Sequence, residues 1–377
     1  MQTKYSRVQQ DIKSKILDGT YFPHQKISSE SELMKSFGVS RHTIRLAVGK
    51  LVEEGWLYRK QGAGTFCAER KTNPHAHSGG KSVAIITTYL SDYIFPSIIQ
   101  GAESYLSKLD FQVSLYCTNN SVDSERRILE SILTKQIDGI IIEPTKSALP
   151  NPNLNYYFNL ERLNIPYIMI NAYYNELEPP SLIMDDEKGG YLQTDYLIKL
   201  GHRNIAAFFK TDDVQGVKRM KGYIKAHRDN QMSIDPNNLV TYSSEDKTTR
   251  PLEKLKEILS SQKCPTAVVC YNDELAIRLL DIFRERNIHV PKDISLVGYD
   301  DSFLAKASEV KLTTVKHPKF KMGEDAAKMI VDLIHNKGML PSGNAQSVPQ
   351  SIVYEPKLII NQSTLDIRTA EMKEKVN

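Results

Sequence analysis

Hydrophobic residues recur in two different patterns along this chain, and the change between them divides it into two parts. In the first part apolar side chains return every three or four positions, as Val8, Ile12 and Ile16 do, which is the spacing of an amphipathic helix. From Val83 onward, continuous apolar runs alternate with amphipathic stretches, a pattern typical of buried parallel strands that alternate with helices. The sequence therefore predicts a small N-terminal domain followed by a larger α/β body.

Capping and turn signals predict a helix-turn-helix in the first part. Ser29 and Glu32 form a capping-box pattern ahead of a short second helix, and Gly38 stands where that helix needs a left-handed residue to end. Ser40 then caps a third helix. In a helix-turn-helix the second of two closely spaced helices reads base edges with its N-terminal residues.

The opening turns of the third helix carry the candidate base-reading side chains. Arg41 and Arg45 lie four residues apart on one helix face, and arginine can donate two hydrogen bonds to a guanine edge. His42 can serve a base or a phosphate. A solvent-exposed helix with two arginines and no DNA-binding role is the simpler alternative.

A basic loop between two short β-prone runs predicts a wing. The runs are Trp56 to Tyr58 and Thr65 to Cys67, and the loop between them holds Arg59, Lys60, Gln61 and two glycines. Such a hairpin tip can enter a minor groove while its basic residues reach phosphates. A phosphate-binding nucleotide loop is a weak alternative, because no long strand precedes the glycines and no helix follows them.

The distribution of charge favours a polyanionic partner for the first part alone. The whole chain has a net charge of only +4, but residues 1–70 carry 12 Lys and Arg against 7 Asp and Glu, whereas the remainder carries 37 against 38. A basic surface that is merely solvated would give the same excess.

Other features of the sequence exclude several classes of protein. No apolar run approaches the roughly 18 residues that a membrane-spanning helix needs, and the first residues lack the apolar core of a signal peptide, so we expect a cytoplasmic protein. The four cysteines are scattered, and His75 and His77 have no Cys or carboxylate companions nearby. We therefore expect no metal site and no cofactor.

The segment from Ser28 to Cys67 resembles the winged helix-turn-helix of the GntR family of bacterial repressors, with its F-G-V-S-R-x-T-I-R and G-x-G-T-F motifs. The resemblance covers nearly all of residues 2–68. It implies DNA contacts in the third helix, at the start of the second helix, in the wing and at the start of the chain. With the residue-based candidate His42 included, the DNA-binding residues are Lys4, Glu30, Arg41, His42, Arg45, Gln61 and Gly62.

The body should bind a ligand where its strands end. In doubly wound sheets, ligands bind in the crevice beyond the carboxyl ends of the strands. A sugar needs planar donors and acceptors beside an aromatic face, and Arg219, Asn272, Asp300 and Tyr93 supply both. A helix cap is the simpler role for Asp185, Asp273 and Asp301. The candidate effector-binding residues are Asp92, Tyr93, Glu143, Lys188, Arg219, Asn272, Asp300 and His317.

Residues of about 82–365 resemble the effector-binding domain of the LacI/GalR family, which has the shape of periplasmic sugar-binding proteins. The similar segments include VPKDISLVGYDDSFLA and LTTVKHPKFKMGEDAAKMI. The resemblance places ligand contacts at Arg219, Asn272, Asp300 and His317, with Lys188 in the loop before a helix that Gly189 and Gly190 open. Lys188 and His317 stand where many members of the family have Asp or Gln.

Together these features predict a winged-helix domain (residues 1–68), a linker (69–82), a body of two doubly wound parallel-sheet subdomains (83–365) and a C-terminal tail (366–377). Both families imply a homodimer on a pseudo-palindromic operator, and the pairing of a GntR-type head with a LacI/GalR-type body favours L-arabinose as the effector. Effector binding is expected to close the two halves about chain crossings near residues 200, 315 and 339.

Two other functions remain open at this point. An enzyme could use Asp185 and Asp186, or Asp300 and Asp301, as general acid and base, but no nucleophile, metal cluster or catalytic elbow accompanies them. A sugar-transport component would share the shape of the body, but the missing signal peptide and the DNA-reading head oppose it.

Overall fold

The computed structural model describes residues 3–69, 81–90, 93–336 and 350–368. The N-terminal domain, called the head below, holds three helices and one hairpin, as the sequence predicts. Its elements are α1 (Lys4–Leu17), α2 (Glu30–Phe37), α3 (Arg41–Glu53), β1 (Leu57–Lys60) and β2 (Gly64–Cys67). The linker falls mostly outside the described residues, as do His75 and His77.

Local capping explains where the helices of the head begin and end. The capping box of Ser29 and Glu32 is complete, the Ser40 side chain accepts from the Thr43 amide, and Gly38 ends α2 with a φ of 62°. The apolar faces of α1 and α3 meet in a core that includes Val8, Ile12, Ile44, Leu51 and the buried Trp56. The predicted helix-turn-helix is confirmed.

The wing differs from its prediction in one respect. Arg59 and Lys60 belong to β1, and Lys60 pairs with Gly64 across the hairpin. The loop is therefore reduced to residues 61–63, because cross-strand pairing continues for two residues beyond the β-prone run that the sequence shows.

The body contains two parallel sheets that α-helices cover. Its first elements are β3 (Ser82–Thr87), α4 (Phe95–Leu106), a 3-10 turn (Ser107–Leu109), β4 (Gln112–Cys117), α5 (Val122–Thr134), β5 (Gly139–Ile142), α6 (Leu154–Arg162), β6 (Tyr167–Ile170) and β7 (Ser181–Met184). Next come α7 (Asp186–Lys199), β8 (Ile205–Lys210), α8 (Val214–Asp229), a 3-10 turn (Pro236–Asn238), β9 (Leu239–Tyr242), α9 (Arg250–Leu259), β10 (Ala267–Cys270), α10 (Asp273–Glu285), β11 (Ser295–Asp300), α11 (Phe303–Ala307) and β12 (Thr313–Lys316). The last are α12 (Lys319–His335), β13 (Ile352–Tyr354) and β14 (Lys357–Ile359).

The two sheets define two lobes. The N-lobe has the strand order β13-β7-β6-β5-β3-β4, and the C-lobe has the order β14-β12-β11-β10-β8-β9. All pairs in the described strands of both sheets are parallel except β12 with β14. Strands such as β5 and β10 are buried along their whole length, since helices cover both faces of each sheet. This arrangement confirms the predicted doubly wound fold.

Within the described residues the chain passes between the lobes at three places: after β7, after β12 and after β13. The crossing after β12, at residues 317–318, lies close to the position expected near 315. The expectation near 200 was wrong, because α7 already packs in the core of the C-lobe and the crossing falls at residue 185. Residue 339 lies outside the described residues, and the third crossing that they show is at 355–356.

The C-terminal segment stays attached beyond the predicted end of the body at residue 365, since the Ile367 amide donates to the Leu200 carbonyl at 3.0 Å. In the part of the chain that the structure describes, no helix combines the length and apolar character needed to cross a membrane.

Candidate functional site

A cavity of about 130 Å³ lies between the lobes, with space for several water-sized molecules. It opens at the carboxyl ends of strands from both sheets, where the sequence predicts a ligand site. Residues that end or directly follow these strands and line the cavity are Thr88, Glu143, Asn171, Lys210, Tyr271, Asn272, Asp300 and His317.

Close packing of α7 on α8 sets the position of the most buried charges in the cavity. A Cβ on Gly190 would lie 2.1 Å from the Arg219 carbonyl oxygen, and one on Gly222 would lie 2.1 Å from the Glu187 carbonyl oxygen. Only glycine permits this approach of the two helix backbones. The approach brings Arg219 of α8 against Asp186 in the first turn of α7.

The Arg219 guanidinium makes hydrogen bonds and ring contacts with several residues. Its Nε donates to Asp186 Oδ1 at 2.8 Å, and its Nη1 donates to the Tyr271 carbonyl oxygen at 2.7 Å. The guanidinium carbon lies 3.5 Å from the ring centroid of Tyr299 and 4.9 Å from that of Tyr271. Burial, offset in part by Arg219, raises the pKa of Asp186 to about 6.

Asp300 connects the two lobes. The Tyr93 hydroxyl, from the N-lobe, donates to Asp300 Oδ2 at 2.6 Å. The other oxygen, Oδ1, is buried, has no hydrogen-bond partner among the described residues and lies 3.8 Å from Arg219 Nη2. Burial raises the pKa of Asp300. One face of this carboxyl is therefore fixed, and the other has unused acceptor capacity.

A second cluster lies on the N-lobe side. The backbone amide of Thr88 donates to Glu143 Oε2 at 3.0 Å, the Thr88 hydroxyl donates to the same oxygen, and Asn171 Nδ2 donates to Oε1 at 2.9 Å. Burial raises the pKa of Glu143. Asn171 Oδ1 lies 3.1 Å from His317 Nε2.

His317 is a neutral acceptor in this setting. Burial and the positive charges of Lys319 and Arg219 lower its pKa well below the ordinary value. Because Asn171 Oδ1 can only accept, Nε2 carries the proton, and Nδ1 is left as an acceptor. Nδ1 has no hydrogen-bond partner within the described ranges.

The structure brings six of the eight predicted effector-binding residues to the cavity: Tyr93, Glu143, Arg219, Asn272, Asp300 and His317. Asp92 lies outside the described residues. Lys188 does not reach the cavity, because α7 begins at Asp186 and so places Lys188 on its outer face, where the Lys188 side chain pairs with Glu355.

Several lining residues are not among the predicted effector-binding residues. Asp186 follows a strand, but the sequence prediction names it only as a possible general acid or base beside Asp185. Lys210 also follows an apolar run, and its ammonium contacts Asp213 Oδ2 at 3.0 Å, while Gln215 Oε1 is buried with no partner in the described chain. Strand-end position was the available signal for Asp186 and Lys210, whereas nothing in the sequence marks Gln215.

The predicted helix caps are only partly confirmed. Asp185 caps α7, since its side chain accepts from the Lys188 amide. Asn272, not Asp273, caps α10, and Ser302, not Asp301, caps α11. Asp273 is buried and accepts from the Ser302 amide and from the Thr314 hydroxyl.

On the head, α2 and α3 bring three predicted DNA-binding residues together. Both oxygens of Glu30 lie 3.2 Å from Arg45 Nε, and Oε2 lies 3.5 Å from Arg41 Nε. About 60% of each arginine side chain stays exposed. His42 is also exposed, at the second position of α3.

The other predicted DNA-binding residues lie on separate elements. Gln61 and Gly62 occupy the exposed tip of the hairpin, where Gly62 has a φ of 74°, and Lys4 is the exposed first residue of α1. In the described residues, no group of three His, Cys, Asp or Glu side chains is arranged to hold a metal ion.

Comparison with known families divides the chain in the same way. Residues 4–67 match the family described as bacterial regulatory proteins, gntR family. Residues 194–364 match a periplasmic binding protein-like domain. The two matches correspond to the head and to most of the body that follows β7.

Two relatives are similar over nearly the whole chain. The arabinose metabolism transcriptional repressor of Halalkalibacterium halodurans is 56% identical over 98% of both chains. The arabinose metabolism transcriptional repressor of Geobacillus stearothermophilus is 48% identical over 97% of this chain and 98% of its own.

Among solved structures, a LacI family transcriptional regulator from Enterococcus faecium with bound ribose has a TM-score of 0.62 and 24% identity. The alignment covers 76% of this chain and 99% of that chain. At this identity the similarity shows the fold of the body alone.

Proposed function

Because this chain belongs to the family of arabinose metabolism transcriptional repressors, we propose that it binds operator DNA through its head and is released from it by L-arabinose bound between the lobes. The family consists of regulators and not of enzymes, in agreement with the prediction from the sequence. The protein would act in the cytoplasm, where operator DNA is found.

The observation that supports a sugar site is that three residues lining the cavity each carry a buried polar atom without a hydrogen-bond partner among the described residues. Asp300 Oδ1, His317 Nδ1 and Gln215 Oε1 can each accept a hydrogen bond, and none has a hydrogen-bond partner among the described residues. A buried polar group without a partner costs about 1–3 kcal/mol. Three such acceptors on residues that line one cavity favour a ligand rich in hydroxyl donors, and the adjacent tyrosine rings can cover its C–H face.

The proposed DNA contacts follow from the exposed head surface. In a homodimer, each α3 would enter a major groove of a pseudo-palindromic operator, with the two half-sites about 34–36 Å apart or a multiple of that distance. Arg41, Arg45 and His42 would face base edges and phosphates, Gln61 and Gly62 would approach the minor groove, and Lys4 would reach a phosphate.

Thermal unfolding of the full chain with a panel of pentoses and hexoses tests the effector. L-arabinose at 100 times its Kd should stabilise the protein by about 2.7 kcal/mol, which raises Tm, whereas the enantiomer D-arabinose should have little effect. Release of the protein from an operator duplex should follow the same order of sugars. Stabilisation by a different sugar alone would disprove the assignment of L-arabinose.

A further inference from the structure

Helix α1 of the head rests on the N-lobe through a polar cluster. The Ser14 hydroxyl donates to Glu130 Oε1 of α5 at 3.0 Å, and the Tyr156 hydroxyl of α6 donates to the same oxygen at 2.9 Å. The two hydroxyl oxygens lie 3.0 Å apart. Tyr156 is 3% exposed, so the cluster is a shielded contact in which every polar atom named has a partner.

A second polar contact holds the end of α1. Asn159 Nδ2, from α6, donates to the carbonyl oxygen of Leu17, the last residue of α1. Such terminal carbonyls have no partner inside their own helix. Arg162 Nε donates to Asn159 Oδ1 at 3.1 Å and so fixes the orientation of the amide. The positive charge of Arg162 also lies near the C-terminal end of α1, which is the negative end of its helix dipole.

Apolar packing continues across the same contact. Ile16 and Leu17 of α1 belong to one continuous hydrophobic cluster with Tyr156 and Leu160 of α6, and both α1 residues are less than 10% exposed. The core of the head and one face of the N-lobe core are therefore joined. This interface combines apolar burial with two directional polar contacts, which together define one orientation.

The docked helices also connect to the effector cavity. Glu125 of α5 is fully buried and accepts from the hydroxyls of Tyr157 at 2.6 Å and Tyr174 at 2.8 Å. Tyr174 in turn accepts from the Thr145 amide at 2.8 Å, two residues after Glu143 of the cavity. These bonds tie α5 and α6 to the edge of the cavity, so the N-lobe and the docked head can move as one body.

We propose that the α5–α6 face of the N-lobe is the docking surface for the head, and that this contact, more than the linker, transmits effector binding to the DNA-reading helix. The proposal rests on the proposed function. The sequence predicts a linker at 69–82, a segment that holds Gly, Pro, Ser and charged residues, and a linker in general sets how far a domain can reach, whereas a docking surface also sets its orientation. A docked head, in contrast, must follow any movement of the N-lobe.

The test uses the full chain with Asn159→Ala and, as a matched control on the same helix, Asn155→Ala, whose side chain is exposed. Ser14→Ala provides a second variant from the head side of the contact. Hydrogen exchange of the peptide that covers residues 14–21 measures docking. Operator affinity, with and without L-arabinose, is measured on a duplex that the wild-type chain selects from a random pool.

In both interface variants, residues 14–21 should exchange at least five times faster than in wild type. The ratio of operator affinity without L-arabinose to operator affinity with it should fall at least fivefold. Affinity for L-arabinose in the absence of DNA should stay within twofold of wild type, because neither residue lines the cavity. Asn155→Ala should match wild type in every measurement.

Unchanged exchange in both variants would overturn the docking surface. Faster exchange with an unchanged affinity ratio would overturn its role in transmission. If the wild-type chain itself does not respond to L-arabinose on DNA, the proposed effector is wrong, and the exchange result still decides whether the head docks on α5 and α6.

Discussion

Removal of the Arg219 guanidinium should both destabilise the body and change how its stability depends on pH. Arg219 is 4% exposed and contacts two buried carboxyl groups, Asp186 at 2.8 Å and Asp300 at 3.8 Å. Arg219→Ala leaves these groups without their cation. Breaking a buried ion pair on one side costs about 3–5 kcal/mol, and the lost stacking on Tyr299 adds to the effect.

The pH dependence follows from the direction of the pKa shifts. In the wild-type chain, burial already raises the pKa of Asp186 to about 6, and Arg219 opposes that shift. Without the guanidinium the folded-state pKa rises further above the unfolded value, so the folded variant takes up a proton at a higher pH than wild type. Its stability then increases as the pH falls, by about 1.4 kcal/mol per pH unit for each carboxyl group that is protonated only in the folded state.

Urea unfolding of the variant at pH 8 and pH 6 checks this reasoning. The difference in unfolding free energy from wild type should be about 3–5 kcal/mol at pH 8 and smaller by about 1–3 kcal/mol at pH 6. Arg228→Ala, an exposed arginine on the same helix, is the matched control and should change stability by less than about 0.5 kcal/mol. A difference that is equal at both pH values would refute the electrostatic account.

Three further predictions concern the head and the packing of the body. Arg41→Ala or Arg45→Ala should weaken operator binding by about 1–3 kcal/mol and relax sequence preference in a filter-binding assay, whereas a variant with unchanged operator affinity and unchanged sequence preference would contradict the base-reading role. Gly190→Ala should destabilise the body by about 1–3 kcal/mol in urea, because its Cβ would lie 2.1 Å from a backbone oxygen of α8. Gly49→Ala, with no atom within 4 Å of its new Cβ, should instead stabilise α3 by up to about 1 kcal/mol. A loss of stability in this variant would contradict the open space found around Gly49.

The head could be predicted from the sequence because its signals are local. The capping box at Ser29, the left-handed Gly38 and the cap at Ser40 act within four residues of the atoms that they satisfy. The apolar stripes needed only helical periodicity. The prediction of the wing was less complete, because the length of a hairpin depends on pairing between two strands, which the sequence of each strand alone does not show.

The cavity was predicted only in outline because its geometry depends on distant residues. Strand-end position found Asp300 and His317, but the pairing of Asp186 with Arg219 requires α7 and α8 to approach at Gly190 and Gly222. The sequence prediction placed Lys188 in a loop before a helix that Gly189 and Gly190 open. In the structure the Asp185 cap starts α7 ahead of these glycines, so Lys188 lies within the helix.

The crossing at residues 355–356, which the sequence did not predict, shows the same limitation. Strands β13 and β14 have three residues each and join different sheets, so no periodic signal in the sequence reveals them. Their positions become clear only from pairing with β7 and β12.

The contact of Glu30 with Arg41 and Arg45 has a consequence for how DNA would be chosen. In the proposed complex, each base or phosphate that binds these arginines competes with a carboxylate that already contacts the Nε of both. Binding is then an exchange of partners, so a duplex with a poorly placed acceptor gains little over the internal pair. A single acidic side chain would thus act as a built-in competitor that raises discrimination between DNA sites at the expense of affinity for all of them.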